Sequence, residues 1–451
     1  RIPQTKTLTQ TSVEILNAIR NEGTQNYQNY VPKASENVDS IKQIGAIIMD
    51  YPALQNEFLN ALVNRIARVI VTSKSYTNPL KMFKKGIMEM GETIEEIFVN
   101  IAKVFEYDAE VASKEVFKRE IPDVRSAFHI RNYKKMYKAT VQQEELKTAF
   151  LSWGGITDLI SKIVDSMYTA SEYDELQVMK YMLARQILDG LMKPQEIPQI
   201  TTDTMKEVVA QFRETSNNLE FLSPAYNLAG VMNNSKKSEQ YIIVSTKFDA
   251  KMSVEVLATA FNMDKTEMLG HRVLIDGFGK LDNARLAMLF AEDKTYKEVT
   301  PQELQALEDI PAVVVDVDWF QIYDNLIQYT EINNPQGLYW NYFLHTWKTF
   351  SVSPFACNTL FVPVTPAVTS VEVAPATVTT SVNTDLQFNA SVVTTGFASK
   401  TVNWSINSEL STIDNKGRVH IGEDETEPSL TVTATSVFDP TKTGTATITI
   451  A

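Results

Sequence analysis

Apolar residues at helical spacing dominate two stretches of the chain. Between residues 9 and 68 they recur at helical intervals, most clearly at Phe58, Leu62, Val63 and Ile66, which predicts a mostly helical N-terminal region. A second stretch carries apolar stripes over residues 156–167 and 176–187, of the kind that core-facing helices show. A capping-box pattern at residues 169–172 separates the stripes and Gly190 follows them, so the pattern predicts two helices.

The stretch between these helical regions has a different pattern. Its first apolar residues are three or four positions apart and fit either a helix or a pair of strands: Ile94, Ile97, Ile101 and Val104. Residues 105–143 are polar and weakly periodic, and Tyr133 and Tyr137 alternate there with basic residues, which suits a strand exposed on both faces. Because an isolated hairpin is marginally stable in water, this segment either lies on another surface as an arm or folds back on its own domain.

Short elements of both kinds follow, and then a block rich in aromatic residues. Residues 195–310 alternate brief helical and strand patterns, which predicts a mixed α/β region. The block from residue 318 to residue 356 contains three of the five tryptophans and a strong turn signal at residues 333–337 between two strand patterns. Because aromatic side chains bury the largest areas, we expect this block to anchor a core or an interface, with most rings inside the subunit.

From about Pro363 onward, apolar and polar positions alternate with a period of two. The segment is rich in Thr, Val and Ser and contains short strand patterns at regular spacing, which is typical of a β-sandwich. The residues predicted to face its interior are Val371, Val373, Val378, Leu386, Phe388, Ala390, Val402, Trp404, Ile406, Leu430, Val432, Ala434, Ala446, Ile448 and Ile450. The chain is therefore predicted to have an α+β part, residues 1–362, followed by an all-β sandwich, residues 363–451.

Composition and charge limit the classes of function. The chain has 451 residues and a net charge of −13, with 44% hydrophobic and 22% charged residues. This acidic balance disfavours a dedicated nucleic-acid reader, and it disfavours an anionic membrane surface as a partner. The single cysteine, Cys357, excludes an intramolecular disulfide framework, and neither a signal peptide nor a bilayer-spanning apolar run is visible. We expect a soluble protein made in a reducing compartment.

Candidate catalytic groups are sparse. Asp316 and Asp318 lie two positions apart on a predicted strand and could hold a divalent cation, but a solvated strand face is the commoner role of such a pair. The four histidines follow no metal-binding spacing, and the glycines near residue 277 lack the rest of a phosphate-binding loop. We therefore predict no catalytic residue, no cofactor and no metal ligand, and a protein that is not an enzyme.

Several short sequences within residues 15–360 match a known family. They include Asp318-Trp319-Phe320, Gly337-Leu338-Tyr339-Trp340-Asn341-Tyr342, Asn78-Pro79-Leu80-Lys81 and Ser152-Trp153-Gly154. Through these sequences and their order, the chain resembles the major capsid proteins of phi29-like tailed phages. Its C-terminal part is similar to bacterial immunoglobulin-like domains of group 2, through Val402-x-Trp404-Ser405, Gly417-x-Val419 and residues 430–435.

The resemblance implies a Hong Kong 97-type capsid fold followed by an immunoglobulin-like domain at residues 363–451. It assigns an N-arm to about residues 1–70, an E-loop to about 105–143 and spine helices to about 145–191. An axial domain is expected at about residues 195–310, and a return into the peripheral domain at about 312–362.

The resemblance also implies a function. The chain is expected to be a structural subunit that self-assembles as hexamers and pentamers into an icosahedral or prolate head shell enclosing double-stranded DNA. Expected partners are a scaffolding protein, a portal or connector, head fibres, and the packaged DNA as a non-specific neighbour. The expected location is the virion, after assembly in the host bacterial cytoplasm, with the immunoglobulin-like domain outward for decoration, bracing or weak host-surface binding.

Two sets of site residues follow. The E-loop is expected to form an inter-subunit interface through Arg125, His129, Arg131, Tyr133, Lys135 and Tyr137. The aromatic residues expected to act as structural anchors are Trp153, Trp319, Tyr323, Tyr339, Trp340, Trp347 and Trp404. The basic residues between 125 and 138 could meet phosphates, but an acidic neighbouring subunit is the better hypothesis. The alternative function is a bacterial surface adhesin or carbohydrate-binding protein acting through the sandwich, whereas a hydrolase has no residues to carry it.

Overall fold

The computed structural model describes residues 8–70, 76–88, 93–105, 108, 117–142, 146, 155–201, 203–252 and 254–450. These residues form a group of N-terminal helices, one long helix, a four-stranded sheet, a five-stranded sheet flanked by short helices, and a C-terminal part built from strands. This mixture agrees with the α+β class predicted from the sequence.

The N-terminal part is helical, as the apolar spacing predicts. Its helices are α1 (Leu8–Glu22), α2 (Gln25–Tyr30), α3 (Val38–Asp50) and α4 (Pro52–Ile70). The side chains of Thr24 and Asn37 cap α2 and α3 by accepting hydrogen bonds from the backbone N–H groups of Tyr27 and Asp39. The core on this side of the molecule includes Ile19, Ile44, Ile48, Phe58, Leu62, Trp340, Tyr342 and Leu344.

A single long helix, α5 (Gly155–Leu188), replaces the two helices predicted between residues 145 and 191. The helix continues through residues 169–172, and Glu172 Oε2 accepts a hydrogen bond from the backbone N–H of Asn78 (3.0 Å). The predicted stop at Gly190 is confirmed, because Gly190 adopts a left-handed conformation and its N–H donates to the carbonyl of Ile187. Residues 145 and 147–154 lie outside the described residues.

Most of the remaining elements before residue 363 are short. The strands are β1 (Lys84–Ile87), β2 (Thr93–Val99), β3 (Val124–Ile130), β4 (Tyr133–Gln142), β5 (Pro194–Glu196), β6 (Gln240–Ser245), β7 (Arg272–Ile275), β8 (Ala312–Asp316), β9 (Phe320–Asn334), β10 (Tyr339–Val352) and β11 (Asn358–Val362). The helices are α6 (Met205–Asn218), α7 (Thr246–Asp249), α8 (Val254–Ala260), α9 (Lys265–His271), α10 (Asn283–Leu289) and α11 (Pro301–Glu308). The longest of these elements are the strands β4, β9 and β10 and the helix α6.

The central sheet contains β1, β9, β10 and β4, in that order. β1 runs parallel to β9, and β10 pairs antiparallel with both of its neighbours. The turn predicted at residues 333–337 is confirmed, because it connects the end of β9 to the start of β10. Alternation along β10 directs Trp340, Tyr342 and Leu344 toward the helices, and it directs Phe343 and His345 toward the opposite face.

The second sheet contains β5, β11, β8, β6 and β7, and it is covered on both faces. Ile243 and Val313 point into a core shared with α5, whereas Val244 and Val314 point into a core shared with α6 and the short helices. Strands buried on both faces have continuous apolar sequences, which explains residues 241–244 and 312–315. The mixed α/β region predicted for residues 195–310 is confirmed in its types of element.

The C-terminal part has a core of its own. Its strands are β12 (Ala367–Ala374), β13 (Thr377–Thr380), β14 (Asp385–Gln387), β15 (Asn389–Thr395), β16 (Val402–Ile406), β17 (Thr412–Ile413), β18 (Arg418–His420), β19 (Ser429–Ser436) and β20 (Thr443–Ile450). Each residue predicted to face the interior lies in that core, either buried, such as Phe388 and Val432, or partly buried, such as Trp404. The period of two along the sequence therefore predicted the inward faces correctly.

A buried group of charges joins α5 to the central sheet. The carboxylate of Glu175 is fully buried and accepts hydrogen bonds from Lys84 Nζ (3.0 Å) and Asn78 Nδ2 (2.9 Å). It also pairs with Lys348, and Asp324 lies 2.9 Å from Lys84 Nζ. Burial by itself raises the pKa of Glu175, but the two ammonium groups and their hydrogen bonds outweigh burial and hold this pKa at about 2.

We expect Glu175→Gln to lower the free energy of unfolding by about 3 kcal/mol, because the two buried ammonium groups are then left with the single counter-charge of Asp324. Urea unfolding at neutral pH measures the change. The matched control is Glu36→Gln, which alters an exposed carboxylate and should leave the unfolding midpoint close to that of the wild type. Equal midpoints for the two variants would contradict the role given to Glu175.

The difference in stability should also depend on pH with a definite sign. The pKa of Glu175 in the folded protein lies below its ordinary value of 4.5, so its ionised carboxylate stabilises the native state above about pH 4.5. This contribution is lost as the pH falls toward about 2. The gap between the wild type and Glu175→Gln should therefore narrow from about pH 5 to pH 2, and a constant gap would show that the buried carboxylate is not ionised.

Candidate subunit interface

β2 and β3 form a hairpin of their own, outside both sheets. Their antiparallel register runs from Thr93 opposite Ile130 to Val99 opposite Val124. The arm predicted at residues 105–143 is therefore corrected: the hairpin spans residues 93–130, whereas β4 pairs with β10 in the central sheet. The apolar residues between 94 and 104 fitted either a helix or strands, and the structure shows a strand at residues 93–99. Residues 106, 107 and 109–116 lie outside the described residues.

One face of the hairpin, which we call the outer face, is exposed and largely apolar. Its residues occupy alternate positions on the two strands: Thr93, Glu95, Ile97, Val99, Val124, Ser126, Phe128 and Ile130. Ile97, Phe128 and Ile130 leave 58%, 60% and 59% of their surface exposed. Exposed apolar faces on uncovered strand pairs are common at sites where proteins contact other chains.

The described parts of the connection between β2 and β3 extend this apolar surface. Val104 and Phe117 are almost fully exposed, and Phe105 and Ile121 also present most of their surface to water. Burying one large apolar side chain of this kind stabilises a protein or a complex by about 1.5–3 kcal/mol. The hairpin and its connection therefore carry a large potential for association that the described contacts of the chain do not use.

His129, one of the predicted interface residues, instead fixes the inner face of the hairpin to the subunit. Its buried imidazole has Nδ1 at 2.7 Å from Ser351 Oγ and Nε2 at 3.0 Å from Glu96 Oε2. The other carboxylate oxygen of Glu96 accepts a hydrogen bond from Ser353 Oγ (2.7 Å). This cluster joins both strands of the hairpin to the end of β10.

Two further contacts hold the hairpin against its own subunit. Phe98 stacks on Phe355, with ring centroids 5.5 Å apart. Arg125, also predicted at the interface, donates to the carbonyl of Ala229 and pairs with Asp123 at 3.2 Å. The inner face is thus occupied within the subunit, and the outer face is the one left for a partner.

Tyr133 and Tyr137 were predicted at the interface, but they lie on the side of β4 that faces α5. The hydroxyl of Tyr133 lies 2.9 Å from that of Tyr137, which donates to Asp174 Oδ2 (2.8 Å), and Arg285 holds the same carboxylate at 2.7 Å. Burial raises the pKa of both tyrosines. Lys135 occupies the same, partly buried side of the strand. The prediction of a strand exposed on both faces is wrong, because α5 covers one of them.

The opposite face of β4 and β10 is basic and aromatic. This basic–aromatic face consists of Arg131, Lys134, Met136, Lys138, Phe343, His345 and Trp347. The Arg131 guanidinium and the Lys134 ammonium lie 4.8 Å and 5.4 Å from the ring centroid of Trp347. Lys138 Nζ lies 5.8 Å from the ring centroid of Phe343. The described residues at the outward positions of β4 and β10 include no Asp or Glu, so this face is cationic within an acidic chain.

The aromatic residues predicted as anchors are buried or partly buried wherever the structure describes them. Trp319 and Trp340 are buried, and Trp319 packs edge-on against Phe320 in the core next to α5. The partly buried members are Tyr323, Tyr339, Trp347 and Trp404. Trp153 lies outside the described residues.

Asp316 and Asp318 do not form a carboxylate pair. Asp316 is buried at the end of β8, where it accepts hydrogen bonds from Ser235 Oγ and from the N–H of Asp318 (2.8 Å), and burial raises its pKa. Asp318 pairs instead with Lys85.

Within the described ranges, no group of three or more His, Cys, Asp or Glu is placed to hold a metal ion. No helix in the described part of the chain combines the length and the apolar character needed to cross a membrane.

Comparison with known proteins gives consistent findings. The family model for the Phi29-like phage major capsid protein matches residues 16–362. The chain is 38% identical to the major capsid protein of Bacillus phage B103, over 94% of this chain and 90% of that protein. It is 37% identical to the major capsid protein of Bacillus phage PZA over the same shares. Among solved structures, the capsid structure of Staphylococcus phage Andhra has a TM-score of 0.50 and 13% identity, covering 65% of this chain and 86% of that chain, which shows similarity of fold.

We expect His129→Ala to loosen the hairpin without unfolding the subunit. The change removes both hydrogen bonds of the buried imidazole, so amides in β2 and β3 should exchange about tenfold faster, while amides in the second sheet keep their protection. Hydrogen exchange measured by mass spectrometry tests this expectation, with His420→Ala in the C-terminal part as the control. Exchange rates in β2 and β3 equal to those of the wild type would show that His129 does not position the hairpin.

Proposed function

The chain belongs to the Phi29-like phage major capsid protein family, and from that premise we propose how it assembles. It is a structural subunit of a phage head shell and therefore a component of the virion. We propose that it forms the hexamers and pentamers of an icosahedral or prolate shell around double-stranded DNA, and that the outer face of the β2–β3 hairpin is a principal contact between neighbouring copies.

The order of the elements supports a Hong Kong 97-type arrangement. In this assignment α1–α4 are the N-arm, the β2–β3 hairpin is the E-loop and α5 is the spine helix. Residues 195–310 are the axial domain, and residues 312–362 are the return into the peripheral domain. The central sheet then belongs to the peripheral domain, because its two longest strands, β9 and β10, lie in this return.

The exposed outer face of the hairpin is the observation that carries the proposal. In an isolated subunit Ile97, Phe128 and Ile130 contact water, although the hairpin beneath them is fixed through its inner face. Burying the five apolar side chains of the outer face against a second copy contributes on the order of 5–10 kcal/mol before the entropic cost of association. Each repeat of this contact around a capsomer adds the same favourable free energy to the assembly.

The basic–aromatic face is a second proposed contact between copies. Its cations lie over aromatic rings, and the described outward positions of β4 and β10 carry no Asp or Glu. The face is therefore complementary to an acidic surface. With a net charge of −13, a second copy of this chain offers such surfaces. The same acidic balance supports a shell that does not bind the packaged DNA tightly, because tight binding requires many phosphate contacts from cations.

The C-terminal strands are proposed to be an immunoglobulin-like domain of the outer surface. Their support is the separate hydrophobic core that these strands share and the local match of residues 402–405 and 417–419 to that group of domains. Decoration, bracing and weak host-surface binding are the candidate roles. The alternative of an independent adhesin or carbohydrate-binding protein gains no support from the family model or from the relatives named above, which are capsid proteins.

A scaffolding protein, a portal or connector, and head fibres are the proposed protein partners, with assembly in the host bacterial cytoplasm. They follow from family membership alone. A closed shell filled with DNA needs an assembly core to set its size and one vertex through which the DNA enters.

We expect the double change Ile97→Ser and Phe128→Ser to abolish shell formation while the subunit stays folded. Both side chains lie on the outer face, so their loss removes contact area between copies without disturbing a described core. The variant is expressed together with its scaffolding gene, and particles are counted by negative-stain electron microscopy and sedimentation.

The matched control is Leu410→Ser, which removes another exposed apolar side chain, from the C-terminal part. This control should form shells at the wild-type yield. Closed shells of normal yield from the Ile97/Phe128 variant would exclude the outer face as a principal contact.

A further inference from the structure

The loop between β15 and β16 reaches out of the C-terminal part and contacts the end of α5. We call residues 395–400 the docking loop. Lys400 Nζ donates a hydrogen bond to the carbonyl of Leu188, the last residue of α5, over 2.7 Å. Carbonyl groups in the last turn of a helix have no partner within the helix and carry a partial negative charge, so an ammonium group is a favourable partner.

Gly190 gives the docking loop room to approach the helix end. A side-chain Cβ at position 190 would lie 2.5 Å from the carbonyl oxygen of Ala398 and 2.9 Å from Ser399 Cα, which no real contact tolerates. Gly190 also has φ of +68°, a conformation that favours glycine and ends the helix. The residue that terminates α5 is thus also the residue against which the docking loop packs.

The backbone conformation of the docking loop places the ring of Phe397 against the first part of the chain. Gly396 and Phe397 both adopt left-handed conformations, with φ of 56° and 57°, and Phe397 is not a residue that does so without cost. Its ring packs against the core that contains α5 and the central sheet, and Ala398 beside it is fully buried. A strained residue kept in such a place indicates that the contact stabilises the arrangement.

A cleft beside the docking loop is lined by residues of both parts of the chain. The cleft has a volume of about 330 Å³ and is lined on one side by residues of the first part, such as Glu303 and Ile310, and on the other by Thr394 and Phe397. The connecting segment adds two polar contacts: Thr365 Oγ1 donates to Glu196 Oε1 (2.6 Å), and Gln199 Nε2 donates to the carbonyl of Pro363. The docking loop therefore carries much of the link between the two parts.

We propose that the docking loop is a lock that makes the C-terminal strands an internal brace for the end of α5, and not a freely tethered decoration. The family model ends at residue 362, so this brace lies outside the region that defines the family. The proposal concerns the single subunit and holds whether or not the hairpin forms the contact between copies. In the shell, force on the long helix then passes directly into the C-terminal part.

The test compares the wild type with the double variant Phe397→Asn and Lys400→Met as full-length, unassembled subunits. Asn accepts the left-handed conformation while removing the ring, and Met keeps the apolar stem while removing the charge. Hydrogen exchange at the amides of residues 185–191 should become about tenfold faster in the variant. Exchange in β19 and β20 should stay at the wild-type rate, and Lys416→Met, an exposed lysine in the same part, should change neither region.

Unfolding by differential scanning calorimetry supplies the second readout. The wild type should unfold in one transition, and the double variant in two, because the parts no longer stabilise each other. Should the double variant fail to fold, Lys400→Met alone decides, with an expected increase of about threefold in exchange at residues 185–191. Wild-type exchange rates at the helix end in a folded variant would overturn the proposal, and so would two separate transitions in the wild type.

Discussion

The structure depends first on the buried charge group around Glu175. This carboxylate lies on α5, and its two ammonium partners lie on β1 and β10, so a single site fixes the long helix to the central sheet. Removing four charges from water, those of Glu175, Asp324, Lys84 and Lys348, is costly, and the group is stable only because each charge has a partner and Asn78 supplies a further hydrogen bond. The group therefore favours one alignment of α5 on the central sheet, because any other alignment would leave a buried charge without its partner.

That alignment determines where the hairpin lies. β3 is joined to β4 through Asn132, whose side chain forms hydrogen bonds with both backbone groups of Phe350 on β10. Next to it, His129 bonds to Ser351 on the same strand. A central sheet held by α5 thus holds the base of the hairpin, while the apolar outer face stays uncovered. A rigid base with an exposed apolar face is what a subunit needs to make the same contact at every position of a shell.

The sequence was informative where the pattern is local and less so where partners are distant. The period of two in the C-terminal part identified inward residues such as Phe388, because alternation follows from the geometry of a single strand. The limits of the hairpin could not be found in this way, because β4 pairs with a strand about two hundred residues away: Thr140 bonds to Asn341, 201 positions later. The buried ion pairs of Glu175 could not be predicted from the sequence either, because a glutamate on a helix is usually exposed to solvent. Three of the predicted interface residues, Tyr133, Tyr137 and His129, form hydrogen bonds within the subunit to residues distant in the sequence, and the local pattern did not indicate these contacts.

The most direct test of the central claim is hydroxyl-radical footprinting of side chains in free subunits and in purified shells. The account predicts that oxidation of Ile97, Phe128 and Ile130 falls severalfold on assembly, while oxidation of the exposed Leu410 changes little. These residues report burial directly, without a mutation that could disturb folding. Equal oxidation of the three outer-face residues in subunits and shells would contradict the claim that this face joins neighbouring copies.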